Sequence, residues 1–343
     1  MKVVHFLRPA GAGNYSIEGT FESVRRSALA KGTKIDLVRL PYANTGLISR
    51  IRNGIYAWRR RGDVNHVLGD VHYLILFLPK MTALLTICDC VFAYHPDRIK
   101  RMILRLFWLH IPVRAAGAVT VISEKSRREV LELTGARRRE MAVIPVCVAD
   151  CFTYKPRPFN STRPRILQVG TRPNKNVLRL VNAIAGLDVI LELIGTVEDS
   201  LREAMDANGI RWESQCEVLE GEILAAYERC DIVAFVSTYE GFGLPIVEGQ
   251  SVGRVVVTSD IEPMREVAGG AAILVDPESV ASIRAGVLRV IGDVGLRETL
   301  IRKGLANAAR YRSEVITAEY LRLYQMIGTG TIAMTTKGEI VAG

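Results

Sequence analysis

The chain predicts two tandem α/β units, each a parallel sheet wound with helices. Three observations carry that reading. Short apolar, β-branched runs recur with helical stretches between them, a segment holding Pro156, Pro158 and Pro164 divides the series, and a fresh strand followed by Gly170 opens a second series. A length of 343 residues with 49% hydrophobic content suffices for two buried cores.

In the first half, residues 2–7, 34–40, 65–68, 81–87, 119–122 and 141–148 read as strands, and residues 21–30 as a helix. The first strand runs into Arg8-Pro9-Ala10-Gly11-Ala12-Gly13, a glycine loop suited to a ligand but lacking GxGxxG, which argues against a nicotinamide dehydrogenase. Residues 98–109 mix Arg98, Lys100, Arg101 and Arg105 with Ile103, Phe107 and Trp108, a pattern suited to an amphipathic surface helix. Residues 150–164 read as a linker.

The second half repeats the alternation. Strands are expected at 165–169, 189–194, 218–221 and 231–236, and helices at 224–229, 244–252, 280–291, 296–310 and 313–327. From Gly328 the chain is rich in glycine and threonine and reads as a flexible tail. The loop Gly170-Thr171-Arg172-Pro173-Asn174-Lys175-Asn176 places two cations beside a strand-end glycine and before a helix, which suits a diphosphate.

Charge is unevenly placed. The chain carries +9 in total, of which residues 1–160 hold 26 Lys and Arg against 12 Asp and Glu, while the remainder holds 19 against 24. The first half therefore faces something anionic. A lipid surface ranks above nucleic acid, because no helix-turn-helix, zinc finger or RNA-binding aromatic motif accompanies the charge. Cys88, Cys90, Cys147, Cys151, Cys216 and Cys230 show no CxxC spacing and read as reduced thiols, with no metal site and no disulfide framework. No apolar run is long enough to span a bilayer, and a cytoplasmic protein, peripheral at the inner face of the membrane, is expected.

The most informative stretch is Ser237-Thr238-Tyr239-Glu240-Gly241-Phe242-Gly243-Leu244-Pro245-Ile246-Val247-Glu248. It reads as a loop leaving a buried parallel strand and entering a helix, with a carboxylate at each end. Glu240 and Glu248, with seven residues between them that include Gly-Phe-Gly-Leu-Pro, closely resemble the signature of the retaining glycosyltransferases of family 4. The resemblance continues through Gly253, Thr258-Ser259-Asp260, Pro263, Glu266-Val267-Ala268-Gly269 and Val275-Asp276-Pro277.

That resemblance implies a GT-B fold: two Rossmann-like domains facing across a cleft, with a C-terminal helix crossing back to the first. Residues 1–155 would bind the acceptor, 156–312 the nucleotide-sugar donor, 313–327 would form the crossover helix and 328–343 the tail. It implies a nucleotide-diphosphate sugar as donor substrate, a saccharide or lipid-linked saccharide as acceptor, and no required cofactor or metal. Arg172 and Lys175 would stabilise the departing diphosphate. Glu240 would sit near the sugar, and Glu248 would bind the ribose. Gly170, Thr171, Gly195, Gly241, Phe242, Gly243 and Leu244 would line the donor site. Gly11, Gly13, His72, Cys88 and Asp89 would lie on the acceptor side. Many family members place a histidine before the aspartate at Asp89; here Cys88 stands there, and His72 or His95 is a candidate substitute. The alternatives are a GT-B sugar-nucleotide epimerase, or an inactive sugar-nucleotide or anionic-surface binding protein.

Overall fold

The computed structural model describes residues 1–9, 15–136, 141–216, 218–334 and 340–342. It divides into two compact units, residues 1–147 with 313–343, and residues 148–312.

Unit 1 begins β1 (Val3–Leu7), α1 (Tyr15–Ala30), β2 (Ile35–Arg39), α2 (Leu47–Arg59), β3 (Val64–Val67) and β4 (Ala83–Ile87). It continues with α3 (Arg98–Leu104), α4 (Ile111–Ala115), β5 (Ala118–Val121), α5 (Glu124–Thr134) and β6 (Met141–Val143). The six strands pair in the order β2-β1-β3-β4-β5-β6, all parallel. Alternate residues of β1 enter opposite cores: Val4 and Phe6 pack with Leu74, Leu85 and Leu109, whereas Val3 and Leu7 pack with Phe21 and Tyr320. Buried on both faces, the inner strands β1, β4 and β5 are accordingly near-continuous apolar runs. The expected helix over 98–109 is α3 followed by a π-helical stretch, Arg105–His110.

Unit 2 contains β7 (Arg165–Val169), α6 (Val177–Ile184), β8 (Ile190–Ile194), α7 (Asp199–Ala207), β9 (Arg211–Gln215), α8 (Glu220–Arg229) and β10 (Ile232–Phe235). After these come α9 (Leu244–Val252), β11 (Val255–Ser259), α10 (Met264–Ala268), β12 (Ile273–Val275), α11 (Val280–Gly292) and α12 (Val294–Ala308). Its parallel sheet runs β12-β11-β10-β7-β8-β9. The strand order reverses between β7 and β10, and a doubly wound sheet binds ligands outside the carboxyl ends of its strands at such a point.

Two expectations are corrected here. The third strand of unit 2 is β9, not residues 218–221; Glu220 instead starts α8, where the Glu222 carboxylate accepts from the Leu219 N–H at 2.7 Å and caps the helix. The polar run Arg-Trp-Glu-Ser-Gln hid an edge strand whose side chains are largely exposed. The segment 150–164 carries no regular structure, yet it is docked on unit 2. Phe152 packs edge-on to Tyr227 at 5.3 Å, the Lys155 N–H donates to the Val252 carbonyl, and the Asn160 N–H donates to Asp231 at 3.0 Å.

The chain then enters α13 (Ser313–Gly328), which packs on α1 within unit 1. Beyond it, β13 (Ile332–Met334) and β14 (Ile340–Ala342) pair antiparallel. Beneath α13 lies a buried polar ladder. Tyr324 Oη meets His5 Nε2 and His66 Nδ1, each at 2.8 Å; His66 Nε2 meets Thr86 Oγ1 at 2.6 Å, and Thr86 meets Thr120 at 2.6 Å. His5 Nδ1 has no partner among the described residues, so the neutral ring carries its proton on Nε2. The chain of donors then runs from His5 Nε2–H to Tyr324, from Tyr324 O–H to His66 Nδ1, and from His66 Nε2–H to Thr86, whose hydroxyl shares a hydrogen bond with that of Thr120.

Burial holds both histidines below their ordinary range, His66 at about 3, with His66 and Arg25 adding to the effect on His5. A histidine depressed in the native state contributes stability that is present above pH 6.5, its unfolded value, and lost as pH falls toward the folded one. Each should add a slope of about 1.4 kcal/mol per pH unit below 6.5. Tyr324→Phe removes the central hydroxyl and should cost about 2–4 kcal/mol, because two imidazole nitrogens lose their partner together. Chemical denaturation of both proteins at pH 7.5 and pH 5.5 measures both effects; a variant as stable as wild type would show the ladder to be inconsequential.

Candidate active site

The strongest cluster sits in unit 2 where the strand order reverses. The loop after β7 and the loop after β10 meet there, and their side chains interlock. Lys175 Nζ pairs with Glu240 Oε1 at 2.6 Å, and Asn174 Nδ2 donates to the same oxygen at 3.3 Å and to the Tyr239 carbonyl at 2.9 Å. The Thr238 N–H donates back to the Asn174 carbonyl. Both members of the ion pair are mostly buried, at 19% and 14% exposure, so the attraction is less screened than on the surface. Lys175 also lies 4.7 Å above the Phe235 ring.

Backbone conformation makes this approach possible. Gly170 has φ +88°, and a Cβ there would stand 2.9 Å from Lys175 Cε, so a side chain at 170 would evict the lysine stem. Asn176 adopts the left-handed region at φ 60° and donates Nδ2 to the carbonyls of Val236 and Pro277 at 2.9 and 2.7 Å. This buried amide ties the β7 loop to the β10 loop and opens α6. Thr171 donates Oγ1 to the Thr196 carbonyl at 2.6 Å, packed beside Gly195. Arg172, by contrast, is exposed, and its guanidinium makes no hydrogen bond or ion pair among the described residues.

Gly241, Phe242, Gly243 and Leu244 lead into α9. Gly243 caps the helix at φ +111°, and Phe242 is buried against Tyr311, edge-on at 5.5 Å. Glu248, on α9, accepts a hydrogen bond from Tyr227 Oη of α8 at 2.6 Å. Burial pushes its carboxyl up to about 7; the Tyr227 donor opposes that rise, Glu220 adds to it, and Lys175 opposes it. Glu240 and Glu248 thus lie in different surroundings, one paired with a lysine and one held by a phenol.

Unit 1 also gathers groups at its own reversal point, between β1 and β3. Arg8 beyond β1 lies 3.7 Å from Asp70 beyond β3 and pairs with Glu18 at 3.3 Å. Burial pushes the Cys88 thiol well above its ordinary range, with Asp89 and Asp70 adding to the effect, so it is a neutral group at the end of β4. Asp89 accepts from the Val91 N–H at 3.0 Å and caps the following turn. His72 is buried; its Nδ1–H donates to the Trp108 carbonyl at 2.6 Å, and burial keeps the ring neutral despite Asp70 and Asp89 nearby. His95 accepts from the Asp97 N–H. Gly11 and Gly13 lie outside the described residues, as does Arg137-Arg138-Arg139, a second basic run that adds to the positive charge of the first half.

Sequence reasoning missed Asn174, Asn176, Tyr227, Arg8 and Asp70 as members of these clusters. The two asparagines flank Lys175 and were findable, since asparagine in a strand-end loop favours left-handed backbone and side-chain bonds to the main chain. Tyr227 carried no signal, being one aromatic on an ordinary helix.

The family model described as Glycosyl transferases group 1 matches residues 153–306, nearly the whole of unit 2. These matches support a glycosyltransferase. Its fold is GT-B. The O-antigen chain mannosyltransferase B of Escherichia coli is 28% identical over 256 residues, 68% of this chain and 66% of that protein, so the chain spans just under two thirds of that relative. The phosphatidyl-myo-inositol mannosyltransferase of Mycolicibacterium smegmatis is 26% identical over 327 residues, 88% of this chain and 82% of that one. Among solved structures, sucrose-phosphate synthase from Thermosynechococcus elongatus superposes with a TM-score of 0.78 at 16% identity, covering 96% of this chain and 100% of the other.

The raised carboxyl of Glu248 has a consequence for stability. A group whose folded value, about 7, lies above its ordinary 4.5 contributes stability that is complete below pH 4.5 and lost as pH rises through 7. The loss should be on the order of 2–3 kcal/mol. Denaturant titration of wild type and Glu248→Gln between pH 4.5 and 8 checks this: the glutamine variant should lose that slope, and an unchanged slope would place the effect elsewhere.

Proposed function

We propose that this protein is a retaining glycosyltransferase that moves a sugar, most simply mannose given its relatives, from a nucleotide diphosphate to a saccharide acceptor in cell-surface polysaccharide or lipopolysaccharide assembly. The observation that carries the reading is the Lys175–Glu240 pair, held over Gly170 at the strand reversal of unit 2. Breaking a glycosyl–phosphate bond builds positive character on the anomeric carbon and negative charge on the diphosphate. Lys175, Arg172 and the N-terminus of α9 supply fixed positive charge for the leaving group. Glu240, tied to Lys175, offers negative charge near the sugar, and Glu248 offers acceptors for the ribose hydroxyls. Retention follows from same-face attack, with the departing phosphate taking the acceptor's proton.

The acceptor reading rests on unit 1. Leu47, Ile48, Ile51, Ile55 and Trp58 of α2 are exposed, as are Ile99, Met102 and Ile103 of α3, and Arg50, Arg52, Arg59, Lys100 and Arg101 lie among them. Arg50 lies 4.4 Å over the Trp108 ring, so α2 and the π-helical stretch after α3 are neighbours. Apolar side chains ringed by cations support contact with an anionic bilayer, where a lipid-linked saccharide would be within reach.

Two measurements test these statements. Lys175→Ala should weaken binding of GDP or UDP by about 10-fold or more while leaving the nucleosides within a few-fold; equal losses would remove Lys175 from the diphosphate. Wild-type protein should co-sediment with liposomes containing anionic lipid at low salt and release as salt rises, and Ile48→Glu with Ile99→Glu should cut the bound fraction several-fold. No binding to anionic liposomes at low salt would refute the membrane contact.

A further inference from the structure

Glu248 is held through one of its two carboxyl oxygens. One of its oxygens, Oε2, is taken by the Tyr227 hydroxyl at 2.6 Å, while Oε1 has no hydrogen-bond partner among the described residues. Tyr227 is itself immobilised. Its ring is fully buried and edge-on to Phe152, and its carbonyl accepts from Arg254 Nε at 3.0 Å and from the Cys230 thiol. A phenol so fixed dictates where the carboxyl points.

We infer that Tyr227 is a positioning residue for the nucleotide: it pins one oxygen of Glu248, presents the other to the ribose hydroxyls, and couples ribonucleotide binding to the release of one proton. This rests on the reading that unit 2 binds a nucleotide-diphosphate sugar. The groups facing Glu248 are Tyr227 and Glu220 from α8, Lys175 from the loop after β7, and Cys151 from the segment before β7. Glu220 disfavours a second negative charge, Lys175 favours it, and burial keeps the Cys151 and Tyr227 groups protonated. Glu248 therefore carries its proton into the neutral range when no ligand is bound. Accepting from a ribose diol stabilises the ionised form, so the proton leaves to solvent as the nucleotide arrives and the Tyr227 O–H remains in place as donor.

The inference is selective for the ribose. A 2′-deoxynucleotide offers one hydroxyl fewer and draws less on the ionised carboxylate. Tyr227→Phe withdraws the donor that favours ionisation, so the pH at which Glu248 becomes competent moves upward, and affinity returns at high pH. A merely structural role for Tyr227 would lower affinity at every pH alike.

The test is calorimetric titration of GDP and UDP, each beside its 2′-deoxy counterpart, from pH 5.5 to 8.5 on wild type, Tyr227→Phe and Glu248→Gln. Wild-type affinity for the better ribonucleotide should rise about 10-fold between pH 6 and 8, less for the deoxy form. Tyr227→Phe should shift that rise to higher pH, and Glu248→Gln should flatten it. Titration of wild type in two buffers of different ionisation enthalpy should show proton release near neutral pH, a readout that needs no variant to fold. Parallel profiles for wild type and Tyr227→Phe, or no proton release, would overturn the inference while the donor site stood. Failure of wild type to bind either ribonucleotide at any pH would overturn the donor site itself, and the inference with it.

Discussion

The two loops at the sheet reversal of unit 2 meet around one partly buried ion pair, Lys175 with Glu240. A lysine ammonium left unpaired at that depth would carry a desolvation cost with nothing to offset it, and Glu240 removes the problem. The pair forms only because Gly170 leaves room for the lysine stem and Asn176 ties its loop to the strand end opposite. Those requirements explain the composition of the loop: glycine where φ is positive, asparagine where a left-handed residue must also donate. The proposed diphosphate would meet a cation already in place, so little would have to be ordered as the leaving group charges up.

Unit 1 is organised by a different economy. Its sheet buries two histidines and two threonines on the face covered by α13, and every link in the ladder passes through a hydroxyl. Neutral imidazoles suit such a place because each has one donor and one acceptor, and Tyr324 converts one into the other. The helix supplying Tyr324 packs with α1 instead of continuing unit 2. Buried histidines should make unit 1 sensitive to acid, whereas the raised carboxyl of Glu248 should make unit 2 sensitive to base. Both follow from burial disfavouring the charged form, applied to groups of opposite sign.

Much of the fold was legible because the strands are buried on both faces. Val-Val-His-Phe-Leu, Ile-Val-Ala-Phe and Val-Val-Val-Thr-Ser are runs that only a covered parallel strand tolerates. The edge strand β9 was missed for the complementary reason, since an exposed strand has no apolar pattern to show. The amphipathic helix α2 passed unremarked because its apolar side faces out, and the pattern that marks a helix was not matched to a core. The segment before β7 looked like a linker because prolines break periodicity, yet two phenylalanines and a buried arginine dock it.

By itself the sequence determined the buried strands and most of the helices, the carboxylates Glu240 and Glu248 and the cation-bearing glycine loop, because these are local properties of neighbouring residues. Only the tertiary structure decided which of them meet. Lys175 and Glu240 are 65 residues apart, Tyr227 and Glu248 are 21 apart, and His5 and Tyr324 are 319 apart. Each pair is created by parallel strands whose ends a crossover brings together, or by a helix returning to a distant sheet. The protonation state of Glu248 and the neutrality of His66 likewise belong to the fold, since burial and a partner's hydroxyl set them, and neither is written in the adjacent residues.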